Sequence, residues 1–254
     1  MSLTRLALRL AAPLPKIEAH RRYLFVGPHP DDIEIGAGAT AAKLAAAGKD
    51  VCFLICTDGR YGTDHSGGVE GDALSSLRRE EALASARVLG VTDVRFLDLP
   101  DGGGYTQQTL LTGIAGVLAD FRPEVVFAPD PSVTSECHVD HLNVGEAVRR
   151  LACAAPNPGV MAQYGASAVP VSVLAYYMTA RPTRFVGTRG YTGKQLEAIF
   201  ACHRSQFSGD TGSAIRLYLT LRSVDFGLRS LKGRAEGFRV LGPTHMHCLP
   251  EAGR

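Results

Sequence analysis

Through its first two-thirds the chain alternates short apolar runs with longer stretches of helical character. The short apolar runs YLFV (23–26), VCFLIC (51–56), VRFLDL (94–99) and VVFAP (125–129) read as buried parallel strands. Between them lie GAGATAAKLAAAG, DALSSLRREEALASARVLG and QQTLLTGIAGVLADF, each long enough for a helix, the first two closed by Gly48 and Gly90. In the second, Leu74, Leu77, Ala84 and Val88 form one stripe on which Glu81 also falls. That carboxylate needs a partner, and Arg78 is the candidate.

Strand and helix in alternation predict right-handed crossovers. The expected fold is therefore α/β: a Rossmann-like, doubly wound, mainly parallel sheet with helices on both faces. Ligands bind such sheets outside the carboxyl ends of the strands, where the strand order reverses. If the first and fourth strands are neighbours there, the loops that follow them meet. Beyond residue 155 the pattern loosens: APNPGV is a turn-rich break, VSVLAYYM (171–178) and FRVL (238–241) read as strands, and YTGKQLEAIFACHRSQF as a helix. No repeat or linker divides the chain. A single domain over 1–254 is expected, its part from about 156 extending the sheet and bordering the active site.

Composition narrows the classes. With 45% hydrophobic and 20% charged residues the chain can bury a large core, and 27 basic against 25 acidic residues, scattered, leave no electrostatic reason for a nucleic-acid partner. No run approaches the roughly 18 apolar residues of a membrane span, so no membrane partner is expected either. The N-terminal MSLTRLALRLAAPLP lacks a continuous apolar core of signal-peptide length and reads as a lead-in segment. Cys52, Cys56, Cys137, Cys153, Cys202 and Cys248 form no CxxC pair. They read as buried free thiols of a reducing compartment, which makes a cytoplasmic protein the expectation.

The chemistry concentrates in the two loops expected to meet. His29-Pro30-Asp31-Asp32 puts an imidazole and two carboxylates on a tight turn before a helix, and His138-Val139-Asp140-His141 sits where another helix should start. Two histidines and a carboxylate, with water completing the shell, make a catalytic zinc site, and the candidate ligands are His29, Asp32 and His141. Zinc acidifies bound water and polarises a carbonyl, as amide hydrolysis requires. Asp31 is then the candidate general base and acid, His138 the donor to the oxyanion, and Asp140 the group that holds His138 in its tautomer. Either motif alone would read as helix capping; the pair is what favours metal. Of the other histidines, His20 reads as solvated, His65 as exposed near the pocket, His203 as a helix-end cap, and His245 with His247 as a pair lacking a third ligand.

With these motifs the chain resembles the zinc-dependent N-acetylglucosaminyl deacetylases, the family of the phosphatidylinositol-glycan and mycothiol-pathway deacetylases. The resemblance runs from about Leu24 to Val240 and includes PHPDDIEIGAGAT, TDGRYGT, RREEA, LPDGG, VFAPDP and ECHVDH. TDGRYGT, VFAPDP, HRSQF and EGFRV are most similar to the diacetylchitobiose and N-acetylglucosamine deacetylases, although that subgroup usually carries proline where Val139 stands. The resemblance implies one Zn2+ per subunit, with Fe2+ or another divalent ion as a substitute, and removal of acetyl from the 2-amino group of an N-acetylglucosamine unit. It also implies sugar contacts from Arg78 and Asp101, a trimer or hexamer, and a C-terminal histidine, here His247, acting in a neighbour's site. Three alternatives share parts of the pattern. These are an amidase of the same mechanism on a thiol conjugate or glycosylated secondary metabolite, a non-haem Fe(II) oxygenase with a facial triad of two histidines and one carboxylate, and a dinucleotide-binding module suggested by GAGAT.

Overall fold

A computed structural model of the chain describes residues 3–62, 67–247 and 249. The short apolar runs are strands: β1 (Arg22–Gly27), β2 (Asp50–Thr57), β3 (Asp93–Leu99), which is only partly buried, and β4 (Val125–Pro129). Helices α2 (Asp32–Ala46), α3 (Gly71–Leu89) and α4 (Gln107–Phe121) connect them, and α5 (Val139–Ala154) leaves β4. A helix α1 (Leu3–Ala11) precedes the sheet. Past α6 (Pro158–Ala162) come β5 (Val173–Tyr177), β6 (Arg184–Gly187), α7 (Thr192–Glu197) running into a π-helical turn at Ala198–Cys202, α8 (Gly209–Ser230) and β7 (Ala235–Leu241).

The seven strands lie in the order β3-β2-β1-β4-β5-β7-β6. The first five are parallel, while β7 runs antiparallel to both β5 and β6. Because β1 has β2 on one side and β4 on the other, the winding reverses between β1 and β4, and their carboxyl ends open a crevice there.

The period-2 alternation of side chains sends each strand into two cores. Leu24, Val26, Leu54, Val126 and Tyr176 pack against α4 and α5. Tyr23, Phe25, Phe53, Phe127, Tyr177 and Phe238 pack under α2 and α3. On that face Phe25 and Phe127, opposed in register, stack with centroids 4.1 Å apart, and Phe53 and Phe238 meet them edge-on. Two close approaches depend on glycine. A Cβ on Gly36 would strike the Tyr177 ring, and one on Gly145 would lie 2.6 Å from the Pro129 carbonyl. Both seat a helix hard against the end of a strand beside the crevice.

Three expectations are corrected. Residues 36–40, the GAGAT segment, lie inside α2 rather than in a phosphate-cradling loop, which removes the basis for a dinucleotide site. Arg78 does not pair with Glu81: the glutamate accepts from the Ser205 amide (2.9 Å) and hydroxyl (2.6 Å). The described cysteines are free thiols, but Cys137 and Cys153 are exposed rather than buried. His65 and Cys248 lie outside the described residues.

Candidate active site

β1 runs into the turn of Pro28–Asp31, in which the amides of Asp31 and Asp32 both reach back to the His29 carbonyl (2.9 and 3.4 Å). Asp31 is the N-cap of α2, yet its side chain caps nothing. It instead receives Arg78 Nη2 at 2.9 Å, while Arg78 Nη1 is held by the Gly59 carbonyl. Asp32 turns the other way: Oδ2 accepts from the His29 amide (2.9 Å) and faces His29 Nδ1 (3.0 Å), and Oδ1 lies 3.3 Å from His141 Nε2. The two adjacent carboxylates thus face different groups.

From β4 the chain passes Asp130, clamped by Arg239 and Thr179, and reaches α5. This helix begins one residue later than a shared helical face for His138 and His141 requires, because His138 is its N-cap. The histidines meet all the same, with the rings of His138 and His141 5.0 Å apart and that of His29 4.5 and 5.3 Å from them. Asp140, fully buried, accepts from the Gly102 and Gly103 amides (2.9 and 3.0 Å) and the Tyr105 hydroxyl (2.7 Å). Its Oδ2 lies 3.3 Å from His29 Nε2 but 3.7 Å from His138 Nδ1, so it fastens the 101–105 loop and His29 more than it holds His138. Asp101 Oδ1 lies 3.1 Å from the same His29 nitrogen, and its Oδ2 accepts from the Tyr61 amide.

Among the described residues, buried Asp32, Asp101 and Asp140 face His29, and beside them buried Asp31 faces Arg78, whose guanidinium is the one buried with these four carboxylates. The imbalance sets the electrostatics. Burial disfavours a charged His29, but hydrogen bonds to Asp101, Asp140 and Asp32 outweigh it and raise its pKa to about 12. His141 rises to about 9 for the same reason, burial being outweighed by Asp32 and Glu136. Burial pushes Asp31 upward against the pull of Arg78, with Asp32 adding to the rise. For Asp32, burial is overcome by His141 and His29, which hold it well below the usual carboxylate range. His138 is lowered by burial and by the other two histidines. Two neighbouring carboxylates with pKa values driven apart are the arrangement from which separate acid–base roles are drawn.

The same imbalance fits a cation. Donor atoms of His29, His138 and His141 lie within 4.8 Å of one another, as do those of His29, Asp101, His138 and Asp140. The contacts of Asp32 with His29 Nδ1 and His141 Nε2, at 3.0 and 3.3 Å, are close to the roughly 3.3–3.6 Å separating neighbouring ligands of a tetrahedral ion with bonds of about 2.0–2.2 Å. The far nitrogen of each of these histidines rests on carboxylates, the usual support of a metal-bound imidazole.

Residues 24–152, which include both motifs, match the GlcNAc-PI de-N-acetylase (PIG-L) family. A diacetylchitobiose deacetylase of Thermococcus kodakarensis is 33% identical over 236 residues, 91% of this chain and 87% of that protein. The chain belongs to the GlcNAc-PI de-N-acetylase family. As a de-N-acetylase family member it is an enzyme, a hydrolase of N-acetyl amides. A 1D-myo-inositol 2-acetamido-2-deoxy-alpha-D-glucopyranoside deacetylase of Kineococcus radiotolerans is 33% identical over 203 residues, 68% of this chain but 55% of that protein. The solved structure of N,N'-diacetylchitobiose deacetylase from Pyrococcus horikoshii superposes with a TM-score of 0.88 at 28% identity, covering 98% of this chain and 97% of that one.

Several functional candidates of this de-N-acetylase sit otherwise than the sequence suggests. His203 does stand at the C-cap of the Ala198–Cys202 turn, but its ring is wholly buried and faces Glu34 at 3.4 Å rather than the helix-end carbonyls. His20 is half-buried, with Nδ1 3.4 Å from Glu124. His245 is buried and bonded to Ala12 O and the Gly242 amide, so it cannot pair with His247 on a metal. His247 is exposed beside Pro243, Thr244 and Leu249 and does not join the histidine cluster of its own chain. Val139 occupies the first position of α5, where proline is equally at home, so this departure leaves the helix start intact. Sequence reasoning missed Glu136 and Tyr105. Glu136, two residues before His138 and five before His141, carried a readable signal in its spacing; Tyr105 carried none.

Proposed function

We propose that this enzyme is a zinc-dependent deacetylase that hydrolyses the acetamide at C2 of an N-acetylglucosamine unit, free, in a chitobiose-type oligomer or on a small glycoconjugate. The observation that carries the reading is the convergence of buried His29, Asp31 and Asp32 with partly buried His141 and exposed His138 where the carboxyl ends of β1 and β4 meet, with carboxylates in excess. His29, Asp32 and His141 would hold the ion, which when bound supplies Lewis acidity and an acidified water. Asp31, oriented by Arg78, takes a proton from the attacking water and returns it to the departing amine. His138, the most exposed of the three histidines, donates to the oxyanion. Asp140 supports the catalytic loop by tying residues 102–105 to the start of α5. Arg78 and Asp101 flank the position of the sugar hydroxyls.

The relatives supply the substrate class, being named for diacetylchitobiose and for an inositol 2-acetamido-2-deoxy-glucopyranoside. They do not favour the oxygenase, nor the amidase for thiol conjugates or secondary metabolites. Family likeness also supports a homo-oligomer, trimer or hexamer, in which His247 serves a neighbouring subunit. The free thiols support a cytoplasmic location, and among the described residues no helix is long and apolar enough to cross a membrane. A sheet that β5, β7 and β6 extend supports a single-domain organisation. Zinc-loaded protein should release acetate from N,N'-diacetylchitobiose or N-acetylglucosamine. Release from no N-acylated amino sugar overturns the reading.

A further inference from the structure

Glu136, on the loop between β4 and α5, meets at once His138, the N-cap of α5, and His141 in its first turn. Its Oε1 accepts the His138 backbone N–H at 2.8 Å, and its Oε2 lies 2.8 Å from His141 Nδ1. The carboxylate is only 23% exposed. On the opposite side of the same ring, His141 Nε2 faces Asp32. A neutral imidazole carries one proton, so whichever nitrogen keeps it leaves the other as the lone pair. Glu136 makes the shorter contact, 2.8 Å at Nδ1 against 3.3 Å for Asp32 at Nε2, so with a cation on the Asp32 side the proton would stay on Nδ1 and leave the lone pair on Nε2. His29 has an equivalent arrangement in Asp101 and Asp140 on its Nε2, whereas among the described residues no carboxylate lies within hydrogen-bonding distance of the His138 ring, Asp140 being 3.7 Å away.

We infer that Glu136 is a positioning residue that fixes His141 as its Nδ1–H tautomer, presents Nε2 to the divalent ion shared with His29 and Asp32, and anchors the His138 backbone with its other oxygen. The inference rests on the metal reading above. Loss of an outer carboxylate of this kind lowers metal affinity by about 10–100-fold. It predicts a loss larger for Glu136→Ala than for Glu136→Gln, since the amide oxygen still accepts one of the two hydrogen bonds.

The test is competition for Zn2+ between a chelator of known affinity and the full-length wild type, Glu136→Ala or Glu136→Gln, together with nitrogen–proton spectra of the zinc-loaded proteins. The wild type should show a His141 Nδ1–H proton protected from solvent exchange. Glu136→Ala should lose that protection and bind zinc at least 10-fold more weakly, with the thermal transition of its chelated form unchanged. A role confined to loop stability would instead lower that transition and leave the ring proton protected. Zinc affinity of Glu136→Ala within twofold of a zinc-binding wild type, or a retained ring proton, overturns the inference alone. A wild type that binds no divalent ion overturns it together with the metal reading.

Discussion

The two ends of the sheet are both rich in charge, and they handle it in opposite ways. At the amino end, Arg21 meets Asp50 at 3.1 Å with both side chains largely exposed, and Arg95 bridges Asp93 and Asp120 while lying over the Phe121 ring. Each charge there has a partner and water, so little energy depends on any one of them. At the carboxyl end, four carboxylates are buried near His29 with one guanidinium among them. Burial without balance is costly unless a cation completes the set. Charge density alone therefore does not mark the functional end of this molecule; uncompensated charge out of water does.

That contrast can be broken by substitution, and the effects should be graded. The largest is expected from His141→Ala, which removes a proposed ligand: metal content measured after purification should fall to background and turnover with it. Asp31→Asn leaves the three proposed ligands in place, so metal content should stay at the wild-type level. Its kcat should fall by roughly 10²–10⁴-fold, the usual worth of a general base. Full activity in Asp31→Asn would remove the base assignment.

A third prediction concerns a buried carboxylate remote from the histidine cluster. Glu236 accepts from the amides of Ala39 and Thr40 and from Gln195, but burial dominates and raises its pKa from 4.5 to about 7. The folded state then holds this proton more tightly than the unfolded chain. Its contribution is full below about pH 4.5 and declines as pH rises to about 7, by on the order of 3 kcal/mol. Denaturant unfolding followed from pH 4.5 to 8 should show that decline in the wild type and a flatter profile in Glu236→Gln; parallel profiles would contradict it. The smallest effect belongs to the amino end. Arg95→Ala should cost no more than about 1 kcal/mol and leave turnover unchanged. A larger loss would mean that this end, too, stores energy in its charges.

Much of this was legible in the sequence, for identifiable reasons. β1, β2 and β4 are buried on both faces, so their apolar runs stand out, while β3 is a partly buried edge strand whose run is broken by Arg95 and Asp98; parallel crossovers left few arrangements, one of which brings the HPDD and HVDH loops together. Helix α8 was not legible because it is apolar on two sides. Leu219 and Phe226 face the core, while Leu217, Leu221 and Leu228 are exposed, so no single stripe emerges. β6 has only four residues. Pairings across long sequence separations were also out of reach. Arg78 could have served Glu81, three residues away, but Ser205 occupies Glu81 and leaves Arg78 for Asp31. Asp140 looked like a partner for His138, yet its oxygens point to glycine amides and a tyrosine hydroxyl that no local pattern links to it.

The measurement that bears most directly on the central claim is acetate released from N,N'-diacetylchitobiose by one preparation assayed as purified, after chelation, and after stoichiometric zinc is restored. The account predicts release, its loss on chelation, and its return with about one zinc per chain. Undiminished release from protein shown to be free of metal would contradict it.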